Sequence, residues 1–423
     1  MEDWHQKYGT FVRTGPAEIT VFHPAAYQAM DGPGNRNTRS DWYDLLYPRI
    51  SSIFTRDRGL HDVRRRIWTH ALSSAAIRQY HHRIIRKVEK LVNLIQAEGH
   101  RPILINEVMY WFAFDSMGDF AFSMDFKMME NQEWHQVILL FRSALALLGP
   151  LSPAIWIPRL AFAFAPGLLW AKWWFQMLAF CDQCMERRMK QTLKDKDIAS
   201  FFIEDHSTST DKRRKMWLSG DTATLVVAGS DTNAPTLTHL FYFLARYPEH
   251  TERIYQELKS LDSVEDAVGL SKLSHLNGAI NETMRLLPAV LTFGTRVTPP
   301  EGLTIADTFI PGGTKICAPR YTIGRLESAY ERPKEFIPER WYSQEELIRD
   351  RRAFAPFGVG STSCVGKNLA LTQIRLVAAA LVIRYRISFA ARNPDGERVE
   401  GEMKDQLTAQ PGPCWLEFSP RDD

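Results

Sequence analysis

The chain has 423 residues, of which 45% are hydrophobic, and a formal net charge of +3. That is ample apolar material for a large buried core, and a charge so nearly balanced gives no basis for a nucleic-acid partner. The five cysteines, at positions 181, 184, 317, 364 and 414, are sparse and odd in number, which argues against a disulfide framework and fits a reducing compartment.

Length alone suggests two or three domains. No Gly/Ser linker, repeat or low-complexity tract divides the chain, so residues 1–423 read as a single domain. The N-terminus, Met1-Glu2-Asp3-Trp4-His5-Gln6-Lys7, is too polar for a signal peptide or membrane anchor. No apolar run reaches the roughly 20 residues that a spanning helix needs. The nearest, Leu160 to Ala171, is bounded by Arg159 and Lys172.

In chain order, Phe11 to Phe22 predicts a hairpin around Gly15-Pro16-Ala17-Glu18. His23-Pro24 opens a short helix, since proline suits a first turn. Ser40 to Leu60 is irregular and aromatic. His61 to about Ala97 has a helical, very basic pattern, and Asn106 to Phe126 predicts an apolar helix broken near Gly118. Trp134 to Met189 reads as helical, interrupted by Pro150, Pro153, Pro158 and Pro166. Lys190 to Lys215 reads as a charged surface connection.

A long helix follows over about Met216 to Tyr247, then others over Glu249–Leu261 and Leu276–Leu287. Phe293 to Pro319 alternates like strands and turns at Pro311-Gly312-Gly313. Pro333 to Trp341 is a meandering loop, and Leu407 to Phe418, through Pro411-Gly412-Pro413, reads as a last hairpin. The fold class is mainly α with small β-sheets, an α+β chain.

Four patterns carry chemistry. Cys364 lies in Pro356-Phe357-Gly358-Val359-Gly360-Ser361-Thr362-Ser363-Cys364-Val365-Gly366, ahead of an apolar helix running from Lys367 to Tyr385. The glycines allow a tight turn. A thiolate beside a helix start gains from backbone N–H groups and the helix dipole. A buried cysteine in a turn is the plain alternative.

Ala228-Gly229-Ser230-Asp231-Thr232 lies inside the long helix, with Pro235 just beyond. Pro235 deprives the Asp231 carbonyl of its usual partner, and Thr232 can back-bond to the Ala228 carbonyl. Either a packing kink or a built site results. Glu282 and Arg285 project from one helix face; alone they are a weak ion pair. His61-Asp62-Val63-Arg64-Arg65-Arg66-Ile67-Trp68 is a basic helix start that would otherwise be a solvated charge run. Cys181-Asp182-Gln183-Cys184 lacks the second pair or spaced histidines of a zinc site, so its cysteines read as neighbours on one helix face.

Together these patterns resemble the cytochrome P450 family, from about Tyr8 to Arg421. Phe357, Gly360, Cys364 and Gly366 match its haem-binding signature, whereas Thr362 stands where the family usually has Arg or His. The resemblance implies the cytochrome P450 fold, with heme b (iron-protoporphyrin IX) as cofactor and Cys364 as its iron ligand. It implies that His61, Arg65 and Arg296 bind haem propionates. It casts Thr232 as a hydrogen-bond donor in oxygen activation and Asp231 as a proton relay. Glu282, Arg285 and Arg340 would form a buried structural triad. Phe54, Val290, Leu291 and Thr408 to Gln410 are implied pocket positions.

The implied activity is a haem-thiolate monooxygenase acting on a small apolar molecule, such as a terpenoid or other secondary metabolite. Electrons would come from NADPH through a flavoprotein, NADPH-cytochrome P450 reductase, docking on a basic face with Arg64, Arg66 and Lys367. The style is that of fungal microsomal members, which implies a monomer at the endoplasmic reticulum membrane surface. Those relatives carry an N-terminal anchor, upstream of the part matching Tyr8–Pro16, that is lacking here. The aromatic stretch Leu147 to Phe180, with Trp156, Phe162, Phe164, Trp170, Trp173, Trp174 and Phe175, reads equally as core or as a pocket roof touching the membrane. Two other functions stay open: a haem-thiolate isomerase or dehydratase without a reductase, and a non-catalytic haem or ligand carrier.

Overall fold

Two helices set end to end, Arg214–Ser230 and Asn233–Arg246, form the spine of the protein, and every residue from Asn233 to Ala245 is buried. The computed structural model describes residues 1–134, 139, 142–143, 145–146, 151, 154–193, 195–292, 294–391 and 394–421. The spine packs on Ile105–Phe122, which is apolar on all sides and buried almost throughout. Around these lie Ser74–Glu98, Leu169–Met189, Pro248–Leu258, Ser274–Leu286 and the helix after the cysteine loop, Lys367–Val382.

The strands are β1 (Phe11–Gly15), β2 (Glu18–Val21), β3 (Thr38–Arg39), β4 (Ile103–Leu104), β5 (Arg296–Val297), β6 (Leu303–Ile305), β7 (Thr308–Ile310), β8 (Lys315–Cys317), β9 (Tyr385–Phe389), β10 (Lys404–Gln406), β11 (Thr408–Gln410) and β12 (Trp415–Pro420). One sheet has the order β1-β2-β8-β5-β3, a second β4-β12-β9, and two are pairs, β6-β7 and β10-β11. The helical core is continuous with the β4-β12-β9 sheet. A smaller core containing Val21, Tyr27, Ile316 and Tyr330 lies under the five-stranded sheet.

Several predicted elements need correction. Gly118 does not break its helix, which runs unbroken from Ile105 to Phe122. A Cβ at Gly118 would lie 2.9 Å from the Met124 carbonyl oxygen and 2.9 Å from the Phe126 ring, so the glycine serves close packing. The basic helical pattern splits into Arg58–Ala71 and Ser74–Glu98, because Ser73 caps the second helix by accepting from the Ala76 amide at 3.3 Å.

Lys190 to Lys215 is more than a surface connection: it contains a helix, Ile198–Thr208, capped by buried Asp197, with Phe202 buried against Trp68. The final hairpin is also different. β11 pairs with β10 across Leu407 at φ 70°, while β12 pairs with β9 and β4. Pro411-Gly412-Pro413 instead bridges the two sheets, its Pro411 and Gly412 carbonyls held by Asn106.

The first hairpin, Phe11 to Val21, forms as expected. Cys181 and Cys184 are buried thiols on one helix. In the aromatic stretch, Leu147, Pro150, Pro153 and the side chain of Trp170 lie outside the described residues, as does Phe293 further on. The rest divides: Trp174 is buried against Phe162, whereas Trp156 and Phe164 are 60% and 83% exposed.

Candidate functional site

The Cys364 loop is closed by its own backbone. The Cys364 amide donates to the Phe357 carbonyl at 2.7 Å, and the Gly358 amide to that of Ala355 at 3.0 Å. Gly358 and Gly360 have φ of 69° and 64°, where side chains are disfavoured. Gly360 is further constrained, because a Cβ there would lie 1.9 Å from the Asp31 carbonyl oxygen. That contact seats the loop against the end of the helix Ala26–Asp31. Arg65 reaches in from its helix and donates to the Ser363 carbonyl at 2.5 Å.

Cys364 keeps accessible surface although protein atoms crowd it on most sides. Burial pushes its thiol up, against the amides of Gly366 and Lys367 and the charges of Arg65 and Lys367. The expected thiolate-stabilising donors are present, but desolvation outweighs them. By itself the side chain is a neutral thiol; a metal cation at sulfur would deprotonate it.

Beside the loop lies a buried cationic group. Arg296 donates from Nε to Asp31 Oδ1 at 2.7 Å and from Nη1 to the Tyr43 hydroxyl at 2.7 Å. Directly opposite it on the neighbouring strand is Arg39, whose Nη1 donates to the carbonyls of Ser52 and Thr55 at 2.9 and 2.6 Å. Burial, reinforced by Arg296 and Arg65, pushes Arg39 down to about 10 despite Tyr43 and Asp31. His61 is buried with Nδ1 2.8 Å from Asp62 Oδ1. Burial lowers its pKa, with Arg39 and Arg65 adding to the effect and Asp62 opposing it.

The spine is interrupted at Asp231-Thr232. Thr232 Oγ1 donates to the Ala228 carbonyl at 2.9 Å, as the sequence predicts. Ala228 and Gly229 keep exposed surface although the preceding run from Gly220 to Val226 is buried. Asp231 turns away into the core. Its Oδ2 accepts from Thr408 Oγ1 at 2.5 Å, and Gln410 and Tyr110 extend the chain with bonds of 3.0 and 2.9 Å. Its Oδ1 is buried without a partner. Burial raises the Asp231 carboxyl to about 6, against the Thr408 hydrogen bond and Arg142. Asn233 ties the break to the cysteine helix, donating to Gln373 Oε1 at 3.2 Å.

Glu282, Arg285 and Arg340 are fully buried together. Arg285 grips both carboxylate oxygens at 2.8 Å, and Arg340 Nε, the Ile337 amide and Trp341 Nε1 add bonds of 3.0, 3.0 and 2.9 Å. Burial alone would raise the Glu282 carboxyl; the two arginines and the amide outweigh it and hold it below its usual range. The arginines spend their remaining donors on the carbonyls of Gly324, Pro333 and Glu335 and of Glu331, Leu347 and Arg332. Two helix residues thereby fix the whole approach to the cysteine loop.

The Cytochrome P450 family profile matches residues 1–415. The chain belongs to the cytochrome P450 family. It is 36% identical over 405 residues, 94% of this chain and 71% of the other, to tryprostatin B 6-hydroxylase of Aspergillus fumigatus. It is 35% identical over 391 residues to cytochrome P450 monooxygenase sthD of Phaeosphaeria nodorum, covering 91% and 82% of the two chains. The crystal structure of the cytochrome P450DA heme domain superposes with a TM-score of 0.79 at 18% identity, over 97% of this chain and 90% of that one. This P450 is accordingly an oxidoreductase of the monooxygenase type with the fold the sequence suggested, and haem is the cofactor that the family implies.

The residues fit that group. Haem b brings an iron that takes a sulfur donor and two carboxylates. The P450 offers an accessible Cys364 thiol and, beside it, buried Arg296 and His61 and half-buried Arg39 and Arg65, faced among the described residues by the carboxylates of Asp31 and Asp62. An under-matched buried cationic group of this kind asks for an anion.

One residue departs from the sequence reading. Arg64 does not join an exposed basic face: it is buried, donating to Asp221 at 3.0 and 2.6 Å and also to Asp205. Trp68 Nε1 and the Ser52 amide complete the shell of Asp221, each at 3.1 Å, so Arg64 clamps its helix to the spine. Arg66 and Lys367 are exposed, as expected. Arg39 was missed. Its two-residue strand carries no motif, and only pairing with β5 brings it to Arg296. The Tyr110–Gln410–Thr408 chain around Asp231 was missed for a like reason, since its members lie far apart in sequence.

Proposed function

We propose that this P450 inserts one oxygen atom from O2 into a small apolar secondary metabolite, with Cys364 as the residue that would give haem b its sulfur ligand. Bound haem supplies the oxidising chemistry, and the second oxygen atom leaves as water. Arg65, Arg296, Arg39 and His61 hold the propionates by charge-assisted hydrogen bonds. Arg65 also braces the loop through Ser363. Phe357 and Gly360 shape and seat that loop. With Thr362 in place of a basic residue, Arg39 carries charge that the loop itself does not.

Thr232 would supply a hydroxyl donor for oxygen activation by releasing the Ala228 carbonyl. Asp231, whose carboxyl burial raises to about 6, can take up and give a proton at Oδ2 through Thr408. Fungal relatives named for monooxygenation, one of them a tryprostatin B 6-hydroxylase, support a secondary-metabolite substrate. Exposed Arg66 and Lys367 suit an acidic flavoprotein reductase that passes on electrons from NADPH. No helix among the described residues is long and apolar enough to cross a membrane. Exposed Trp156, Leu160 and Phe164 suit contact of a monomer with the endoplasmic reticulum surface.

The observation that carries the reading is the closed loop presenting Cys364 beside an under-matched cationic group. Its test is the ferrous–CO spectrum. Wild type should give the red-shifted thiolate-type Soret band, and Cys364→Ala should lose it. A folded, haem-bound wild type without that band would point to a carrier instead. Turnover independent of NADPH would point to an isomerase.

A further inference from the structure

Away from the haem site, among the described residues, His250, His275 and Glu339 converge from three elements: the helices Pro248–Leu258 and Ser274–Leu286 and the 3₁₀ turn Pro338–Trp341. Their ligand atoms lie within 4.8 Å of one another. His250 Nδ1 and His275 Nε2 are 3.1 Å apart, and Glu339 Oε1 is 3.9 Å from His250 Nδ1. The histidines are only 8% and 3% exposed.

The spacing suits a small tetrahedral cation. With bonds of about 2.0–2.1 Å, two ligand atoms of zinc sit roughly 3.3–3.4 Å apart, and the observed 3.1 and 3.9 Å bracket that separation. Each ring is also pinned on a further side. His275 Nδ1 is 2.9 Å from the Tyr342 hydroxyl, and the His250 ring donates to the Phe336 carbonyl. Outer partners of this sort set the tautomer and orientation of metal-binding histidines.

The proton count closes. Without a cation, the tautomer that satisfies both contacts has Tyr342 O–H donating to His275 Nδ1 and His275 Nε2–H donating to His250 Nδ1. A cation between the rings requires only that the His275 proton move from Nε2 to Nδ1, where the Tyr342 oxygen accepts it. Tyr342 is 37% exposed and can turn its own hydrogen to solvent. Arg253 donates to Glu339 Oε1 and competes for that oxygen, but its side chain is 57% exposed and free to swing aside.

We propose that His250, His275 and Glu339 form a structural divalent-cation site of the zinc type, completed by one water. The cation would join two helices to the turn that carries Arg340, whose Nε is 3.0 Å from Glu282. It would thus brace the buried charge cluster from outside.

The test uses haem-loaded protein stripped with a chelator and titrated with zinc or cobalt. One equivalent of zinc should bind and raise the melting temperature. Cobalt should give the intense visible bands of a four-coordinate site. Arg253→Ala should tighten binding by about tenfold, the range seen when an outer partner of a metal ligand changes, and His250→Gln and His275→Gln, which remove ligands outright, should each weaken it by more than about 100-fold, beyond that range. No saturable zinc binding by wild type, six-coordinate cobalt bands, or binding unchanged in the histidine variants would overturn the proposal. The wild-type titrations decide it even if a variant fails to fold.

Discussion

Arg39 and Arg296 stand directly opposite one another on an antiparallel strand pair, β3 against β5. Like charges so placed destabilise a sheet, and burial makes the conflict worse, since Arg39 falls to about 10. Asp31 neutralises Arg296 alone. Arg39→Met relieves that conflict but frees the Ser52 and Thr55 carbonyls, so the haem-free protein should lose no more than about 1–3 kcal/mol, while haem retention weakens by roughly 10–100-fold, the loss of one charged hydrogen bond worth about 1.5–3 kcal/mol. The Soret-to-280 nm absorbance ratio after dialysis against apomyoglobin measures this. Unchanged retention would remove Arg39 from the propionate group.

Asp231 gives a pH signature with a definite sign. Its folded-state pKa of about 6 lies above the ordinary 3.8, so the folded protein holds this proton more tightly than the unfolded chain does. The group's contribution is most favourable below about pH 4 and is lost as pH rises to about 6, on the order of 1–3 kcal/mol in all. Asp231→Asn should flatten the stability profile between those pH values and raise the melting temperature at pH 7. Thermal unfolding of the two proteins at pH 4.5 and 7.0 checks it.

Thr232 donates to the Ala228 carbonyl at a helix break. Thr232→Ala should cost under about 1 kcal/mol of stability and keep the ferrous–CO band, while NADPH oxidation runs on without matching product. Coupling equal to wild type would sink its role in oxygen activation.

Glu282 holds two buried arginines. Glu282→Ala leaves both charges uncompensated, a cost of about 3–5 kcal/mol. Protein recovered from expression should be largely without haem, measurable as the haem-to-protein ratio. Glu282→Gln should recover little, because the amide carries no charge.

Gly360 approaches the Asp31 carbonyl so closely that no Cβ fits. Gly360→Ala should displace the cysteine loop or the Asp31–Arg296 pair, with a loss of about 1–3 kcal/mol. A shifted or broadened Soret band would report it. A wild-type spectrum and melting temperature would show that the loop tolerates a side chain.

The local readings that held rest on rules of few residues. Pro235 and Thr232 distort the spine because a missing N–H and a competing hydroxyl act within one turn. Glu282 meets Arg285 because helix geometry fixes a three-residue spacing. The misreadings at Gly118 and Pro411-Gly412-Pro413 share a cause. Both sites looked like local breaks, but distant partners decide their conformation, Phe126 in one case and Asn106 in the other.

The sequence by itself determined the helix-rich class, the family, the glycine-rich loop that carries Cys364 and the helix break beside Thr232. Tertiary structure alone decided which charges lie inside. Arg64 and Arg66 are two residues apart in one basic run, yet Arg64 is buried on Asp221 while Arg66 faces solvent. Arg39 joins Arg296 through strand pairing between residues far apart in the chain. A charge's meaning depends on its desolvation and its partner, and chain folding supplies both.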